Sequence, residues 1–314
     1  MAIALPKVDD QWLLDMHVHV GPEYLQRRYT PQALVDEGRR FGFGAVMKNH
    51  FQPTTSWVSL AARPDDRVKF AGAVVLNATV GGVDAHGVRA AMSGWKTDPR
   101  ATDPQRGGAV VWLPTLLAEA HLNLYGRREL SQSWGVKPEY SRHVPVGEGF
   151  ALDEHDAGIM AGVDRMLTAV AANDLVLATG HLDARETVAV VRRAHAAGIR
   201  RILMTHPLFQ ATRQAVDVLV RLWREYGAYS ELAFSNIAMD HLTWEQYLDV
   251  IEAVGPEGVV LTTDLGQAMN PSVAEGWREY IAELRKRGVK DDDIARISVL
   301  NPHRILYDPA LAAR

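Results

Sequence analysis

The sequence of 314 residues contains no cysteine. Disulfide bonds, thiolate-bound metals and a cysteine nucleophile are therefore excluded. Any metal site in this chain has to be built from imidazoles, carboxylates and other nitrogen or oxygen ligands. Because a chain without cysteine is compatible with any redox compartment, this absence does not by itself indicate where the protein resides.

Long apolar runs and tracts of one charge are also missing. No stretch approaches the roughly 18 apolar residues of a membrane-spanning helix. The N-terminal segment MAIALPKVDD lacks the basic and apolar regions of a signal peptide. The 34 basic and 38 acidic residues are spread along the chain and give a net charge of -4. We therefore expect a soluble cytoplasmic protein with a small-molecule partner, and neither a nucleic-acid nor a membrane partner.

What the sequence does contain is a regular alternation of short apolar runs and helical segments. The runs are predicted strands at residues 13–19, 45–50, 69–77, 109–115, 175–181, 201–207, 228–234 and 259–264. The segments between and after them are predicted helices at residues 31–41, 83–91, 156–172, 183–198, 211–226, 243–255, 272–287 and 291–299. Near-continuous apolar strands separated by helices are typical of a parallel sheet covered by helices.

Eight strand-helix units in one chain predict an α/β fold of the (β/α)8 TIM barrel type, as a single domain over residues 1–314. We expect loop insertions at about residues 93–108, after the third strand, and 119–155, after the fourth. An open, doubly wound sheet is disfavoured because Gly21-Pro22-Glu23 is not a glycine-rich phosphate turn. Barrels of this type often associate, so a homo-oligomer stays open.

Two histidines on the first predicted strand are candidate metal ligands. His17 and His19 are two residues apart, so strand alternation places both imidazoles on one side and Met16, Val18 and Val20 on the other. Two imidazoles so placed can reach the same metal ion. Taken alone, such a pair is more often two ordinary polar residues, and only the ends of the other strands favour a metal site.

Four further strands end in residues of similar chemistry. Lys48 and His50 end the second strand, His181 the fifth, His206 the sixth and Asp264 the eighth. Because the carboxyl ends of all strands meet at the mouth of a (β/α)8 barrel, this agreement predicts a metal site there. The alternatives are core histidines for His181 and His206 and a turn aspartate for Asp264.

These residues resemble the ligand set of the amidohydrolase superfamily of metal-dependent hydrolases. The match consists of the His17-x-His19 pair, His181, His206 and Asp264, in that order. Residues 298–306, SVLNPHRIL, are similar to the Asn-Pro-Ala element that follows the last barrel helix in many members. The resemblance implies a barrel that binds one or two divalent metals per chain, with Zn2+ expected first and Mn2+, Fe2+ or Ni2+ as alternatives.

The resemblance also implies a chemistry. A metal lowers the pKa of its bound water to about 7, and Asp264 would accept that water's proton and pass it to the leaving group. We expect hydrolysis of an amide-type C-N bond, in a lactam, an imide or another cyclic amide. Two alternatives stay open: an ester hydrolase of the lactonase or phosphotriesterase type, and a metal-dependent decarboxylase of a small carboxylate. A non-catalytic barrel is disfavoured because none of the expected ligands is missing.

The end of the fourth strand departs from the superfamily pattern. Binuclear members carry a carboxylated lysine or a glutamate there, whereas this chain has Trp112 to Thr115. Lys48 on the second strand is the candidate substitute, as a catalytic carbamate that bridges two metals. The alternatives are a cationic Lys48 that binds an anionic substrate and a Lys48 that forms a structural ion pair.

Substrate contacts are expected at the mouth of the barrel. The candidates are His50, Arg27, Arg28, Glu231 and Gln267. The loops that roof the mouth supply Tyr24, Arg27, Arg28, Trp95, His121, Tyr125, Arg127, Arg128, Trp134 and His143. Aromatic and arginine side chains suit a small planar or cyclic molecule with a carboxylate. Any single arginine is as readily a solvated loop residue.

Overall fold

The computed structural model describes residues 4–63, 65–96, 108–125 and 149–312. Arg127, Arg128, Trp134 and His143 lie outside the described residues, as do the side chain of Trp95 and most of the two predicted loop insertions. The described ends of those insertions are helical: residues 93–96 end one helix, and residues 119–124 form another.

The centre of the described chain is one curled sheet. Its strands are β1 (Lys7–Val8), β2 (Gln11–His19), β3 (Phe43–Lys48), β4 (Phe70–Val75), β5 (Ala109–Trp112), β6 (Val176–Ala178), β7 (Ile202–Met204), β8 (Tyr229–Ala233) and β9 (Val259–Thr262). Their order across the sheet is the same as their order along the chain. The short β1 is antiparallel to β2, and the later neighbours pair in parallel.

The eight parallel strands wrap round until the first meets the last. Asp264 N–H donates to the carbonyl of His17 over 2.9 Å, and His19 N–H donates to the carbonyl of Leu265 over 2.7 Å. These bonds join β2 to the segment that follows β9. The predicted (β/α)8 barrel is therefore confirmed. The sequence does not predict the additional strand β1, because two residues are too few to show a periodicity.

Helices cover the outside of the barrel. They are α1 (Pro31–Phe41), α2 (Thr55–Ala61), α3 (Ala85–Lys96), α4 (Glu119–Leu124), α5 (Ala157–Ala172), α6 (Ala184–Ala196), α7 (Val216–Tyr226), α8 (Phe234–Met239), α9 (Trp244–Val254), α10 (Val273–Lys286), α11 (Asp291–Ala295), α12 (Asn301–Tyr307) and α13 (Pro309–Ala312). A π-helical turn, Arg296–Leu300, joins α11 to α12. None of the described helices is long and apolar enough to cross a membrane.

Local sequence signals fix where several helices begin. The Thr30 hydroxyl accepts from the N–H of Ala33 over 3.2 Å at the start of α1, next to Pro31. Capping boxes open α6 and α9, where Glu186 and Gln246 reach back to their N-cap residues. These starts agree with the sequence analysis. The predicted helix at 211–226 begins later, at Val216, because residues 207–212 form turns.

The Asn-Pro segment anchors the C-terminal helices to the bottom of the barrel. Asn301 Nδ2 donates to the carbonyls of Pro256 and Val259, over 2.7 Å each. Ile305 and Leu306 pack into the apolar cluster that fills the barrel interior. This end is opposite to the carboxyl ends of the strands, so the segment stabilises the fold and lies away from the mouth.

A register irregularity in β2 changes which side chains face the barrel interior. Pairing with β3 shifts between Asp15 and Val18, and a bulge of this kind re-aims side chains. Met16 belongs to the interior cluster, and the His17 ring lies 5.4 Å from the Trp112 ring of the same interior. The prediction that Met16 points away from His17 is therefore wrong, because strict alternation fails at the bulge.

We expect Gly266→Ala to destabilise the protein strongly. Gly266 has φ of 123°, and an added Cβ would lie 2.0 Å from the carbonyl oxygen of His19 at the seam of the barrel. The free energy of unfolding should fall by about 3 kcal/mol or more. Gly288→Ala is the control, because Gly288 also has positive φ but an added Cβ meets no atom within 4 Å. Equal losses in the two variants, measured by denaturant unfolding, would contradict this expectation.

Candidate metal centre

His17, His206 and Asp264 come together at the carboxyl ends of the strands. One ligand atom from each lies within 4.8 Å of the other two. His17 Nε2 is 3.1 Å from Asp264 Oδ1, and the centres of the His17 and His206 rings are 5.0 Å apart. All three residues are buried. Each ligand atom of a zinc ion lies about 2.0–2.2 Å from the ion. The three side chains are close enough together for all of them to reach one ion.

The backbone turns sharply where two of these residues follow their strands. His206 and Asp264 have φ of 33° and 51°, in the left-handed region. Aspartate, asparagine and histidine are enriched among residues that adopt it, at a cost in strain. Each residue lies two positions after the end of its strand. The turns thus place both side chains in the mouth of the barrel.

His19 contacts the same carboxylate. Its Nε2 lies 2.8 Å from Asp264 Oδ1, and its ring lies 5.2 Å from the ring of His17. His19 also forms a separate group with Glu23 and His50, in which one ligand atom from each residue lies within 4.8 Å of the others. The two histidines of the predicted pair thus contact one aspartate and belong to two neighbouring groups.

Glu231 lies behind His17. Its Oε1 accepts from His17 Nδ1 over 2.8 Å and from the Thr262 hydroxyl over 2.9 Å, and its Oε2 accepts from the N–H of His206 over 3.1 Å. Burial raises the pKa of Glu231, but His17 and His206 outweigh it and lower the pKa to about 2. The ionised carboxylate therefore fixes the proton of His17 on Nδ1 and leaves Nε2 as the ligand atom.

Lys48 lies beside the same histidine. Its Nζ is 2.8 Å from His17 Nε2 and 4.9 Å from the centre of the Trp112 ring. Trp112 thus occupies the strand end where the superfamily pattern places its bridging residue. Burial lowers the pKa of Lys48 to about 8, although Asp264 and Glu231 oppose this change. The bridging carbamate, the cation that binds an anionic substrate and the structural ion pair all stay predictions for this side chain.

His181 lies at the edge of the cluster. Its ring is 5.3 Å from that of His206, and its Nδ1 is 2.8 Å from Nδ1 of His121 on α4. Burial lowers the pKa of His181 well below the usual value, and the neighbouring histidines lower it further. The sequence predicts His121 in the roof of the mouth, and the structure places it in contact with the predicted ligand His181.

A cavity of about 80 Å³ opens over these residues at the barrel mouth. Among the predicted substrate-binding residues, Arg27, His50 and Gln267 line it. The buried Arg27 is paired with Glu23. Arg28 instead is exposed and donates through Nε to the carbonyl of Asn270 over 3.1 Å. The roof residues Tyr125 and His121 also line the cavity.

The short helix α8 contributes residues that the sequence analysis missed. Asn236 Oδ1 is 3.0 Å from His206 Nδ1, and Asn236 Nδ2 donates to the carboxylate of Asp240. The Ser235 hydroxyl donates to Asp264 Oδ2 over 2.9 Å. Since Asn236 presents its oxygen, His206 Nδ1 carries the proton, and Nε2 is its ligand atom. Six helical residues directly after a strand show too little periodicity for this to be predicted.

The residues present fit a divalent metal ion. Burial lowers the pKa of His17 and of His19, so both imidazoles are neutral near neutral pH. Burial raises the pKa of Asp264, but His17, His206 and Lys48 outweigh it and lower the pKa to about 2. Neutral imidazoles and an ionised carboxylate are the forms that bind Zn2+, Mn2+, Fe2+ and Ni2+. His19 Nδ1 is also buried without a hydrogen-bond partner among the described residues.

Comparison with known protein families shows to which family the chain belongs. Residues 13–231 match a family described as "Family of unknown function (DUF6282)". The match covers well over half of the chain and extends from β2 to Glu231 on β8. The chain belongs to this family. Among curated proteins, none matches the sequence of this DUF6282 protein.

Solved structures share the fold of the DUF6282 protein. An amidohydrolase from Pseudomonas aeruginosa superposes with a TM-score of 0.54 at 9% identity, over 97% of this chain and 98% of that chain. An organophosphorus hydrolase from Deinococcus radiodurans superposes with a TM-score of 0.52 at 13% identity, over 98% of this chain and 97% of that chain. At such identities the likeness establishes the fold alone. This fold is the one that the resemblance to the amidohydrolase superfamily implies.

Proposed function

We propose that this DUF6282 protein is a metal-dependent hydrolase that cleaves an amide-type C-N bond in a small molecule. The observation that carries the proposal is the meeting of His17, His206 and Asp264 in a buried group at the mouth of the barrel. The three residues come from or follow three different strands, β2, β7 and β9, as expected for a site assembled by the fold. The likeness to solved amidohydrolases supports the same reaction class.

These three residues would hold the ion, with Zn2+ expected first. When bound, such an ion lowers the pKa of a water molecule and polarises the substrate's carbonyl oxygen. Asp264 lies between His17 and His19 and receives a hydrogen bond from Ser235. Its carboxylate is therefore oriented to accept the proton of the attacking water and to pass it to the leaving nitrogen.

Residues behind the ligands hold them in place. The Glu231 carboxylate fixes the ring of His17, and Asn236 fixes that of His206. Such contacts orient a ligand and raise its basicity. We therefore assign Glu231 a positioning role, in place of the substrate contact suggested by its sequence position.

Cavity residues provide the groups for substrate binding. The Arg27 guanidinium is held at Nε by Glu23, and Arg27 itself lines the cavity. Gln267 Nε2 donates to the carbonyl of Asp264 over 2.9 Å, which fixes its side chain at the cavity wall. An arginine and an amide in the wall of one small cavity suit a substrate with a polar or anionic group next to the scissile bond. Cyclic amides and imides with a carboxylate are the first class to test.

Metal removal is expected to abolish the activity. We expect the metal-loaded protein to hydrolyse members of a panel of lactams, imides and cyclic amides, and the chelated protein to lose at least about 10³-fold in rate. Restoring Zn2+ should restore the rate. The panel also contains lactones, phosphotriesters and small carboxylates assayed for carbon dioxide release. If only the small carboxylates are turned over, the protein is a decarboxylase and not a hydrolase. A rate unaffected by chelation would contradict the proposal.

A further inference from the structure

The loop after β2 contains an acidic residue that the proposed reaction does not use. Glu23 has a fully buried side chain, and the nearby His19 and His50 are 3% and 5% exposed. One ligand atom from each of the three lies within 4.8 Å of the others. We propose that His19, Glu23 and His50 form a second divalent cation site next to the first. The inference rests on the proposed metal-dependent function and deepens it.

His19 supplies the first argument. A neutral imidazole carries one N–H, and Nε2 of His19 lies 2.8 Å from the ionised carboxylate of Asp264. That N–H is therefore on Nε2, and Nδ1 keeps a bare lone pair. Nδ1 is buried and has no hydrogen-bond partner among the described residues. A buried acceptor without a partner costs stability, and a cation can satisfy it.

His50 and Glu23 supply the other two ligand positions. The ring of His50 lies 4.7 Å from that of His19, and its Nδ1 is 2.9 Å from the Thr115 hydroxyl, which leaves Nε2 as the ligand atom. Glu23 Oε2 accepts the N–H of His50 over 2.9 Å, and Oε1 accepts from Arg27. Each carboxylate oxygen offers two acceptor sites, so Glu23 retains capacity for a cation. These bonds also tie the loops after β2 and β3 together.

The donor set matches a known kind of metal site. Two imidazoles and one carboxylate are the ligands of catalytic zinc sites that keep a fourth position open. Asp264 Oδ1 lies 3.1 Å from His17 and 2.8 Å from His19, so one carboxylate joins the two groups. The second ion would thus lie on the side of the first two barrel strands, with a ligand set that does not include His181.

Arg27 sets the relative affinity of the two sites. Its guanidinium lies on the carboxylate of Glu23, and a positive charge there opposes a second cation. No arginine is paired with a carboxylate of the first group among the described residues. The second ion should therefore bind more weakly than the first, and titration should resolve two steps.

The test is a metal titration of the metal-free, full-length protein with Zn2+ and with Co2+. Calorimetry gives the steps, and elemental analysis after gel filtration gives the ions retained. We expect two steps for the wild type and only the tighter one for Glu23→Gln and for His50→Gln. Glu225→Gln, on the exposed face of α7, is the matched control and should keep both. Circular dichroism verifies that each variant is folded.

The outcomes separate this inference from the function on which it rests. Loss of the weaker step in both variants, with the tighter step intact, supports the second site. Two unchanged steps in both variants would overturn it, as would a single step in the wild type, and in either case the proposed hydrolase stands. A wild type that binds neither ion would contradict the proposed function itself.

Discussion

Replacing His206 with asparagine is expected to remove the bound metal and the activity together. His206 belongs to the three-residue group with His17 and Asp264, and its ring is fixed by Asn236. Without this imidazole the ion loses a third of its protein ligands in that group. We expect the turnover rate to fall by about 10³-fold or more, because the chemistry depends on the metal.

Asparagine is the informative substitution at this position. His206 has φ of 33°, a conformation that asparagine adopts more readily than alanine. Loss of metal in His206→Asn therefore reports on ligation and not on a distorted turn. His86→Asn, at an exposed position of α3, is the control and should retain both metal and activity. A His206→Asn protein that keeps the metal content of the wild type would remove His206 from the ligand set.

Asp264→Asn should separate activity from metal content. The amide keeps the size of the carboxylate, an oxygen ligand and tolerance for the φ of 51° at this position. It cannot accept the proton of the attacking water, and positioned proton transfer is worth about 10²–10⁴-fold in rate. We expect a rate loss in that range, with most of the metal retained. The measurements are turnover and elemental analysis of the same preparation.

The matched control for this change is Asp249→Asn, on the exposed face of α9. It should leave both quantities unchanged. Full activity in Asp264→Asn would show that Asp264 is not the proton acceptor. Equal losses of metal and activity in Asp264→Asn would show that Asp264 acts as a metal ligand only.

Much of the fold was predictable because it depends on local patterns. Each of the eight apolar runs became a strand of the barrel, and the threonine and aspartate caps began helices where expected. The predicted strands extend too far: the run that ends at His206, for example, is a strand only to Met204. Residues in the turn after a strand follow the same apolar run as residues within the strand. The sequence alone therefore does not show which residue ends the strand.

The candidate site shows where sequence reasoning fails. Position at a strand end found His17, His206 and Asp264, because all strand ends of a barrel meet at one mouth. It did not find Asn236 or Asp240, whose roles arise from contacts across the cavity. It found Glu231 but not the contact of Glu231 with His17, since the inward direction of a side chain does not reveal what it meets. Glu23 carried one signal, its position four residues after His19.

The metal content of the wild-type protein is the decisive test of the proposed metal centre. The protein would be purified without chelators and analysed for Zn, Mn, Fe and Ni, before and after incubation with added divalent ions. We expect at least one tightly held ion per chain. A folded protein that contains no metal, and that gains none from added ions, would contradict it.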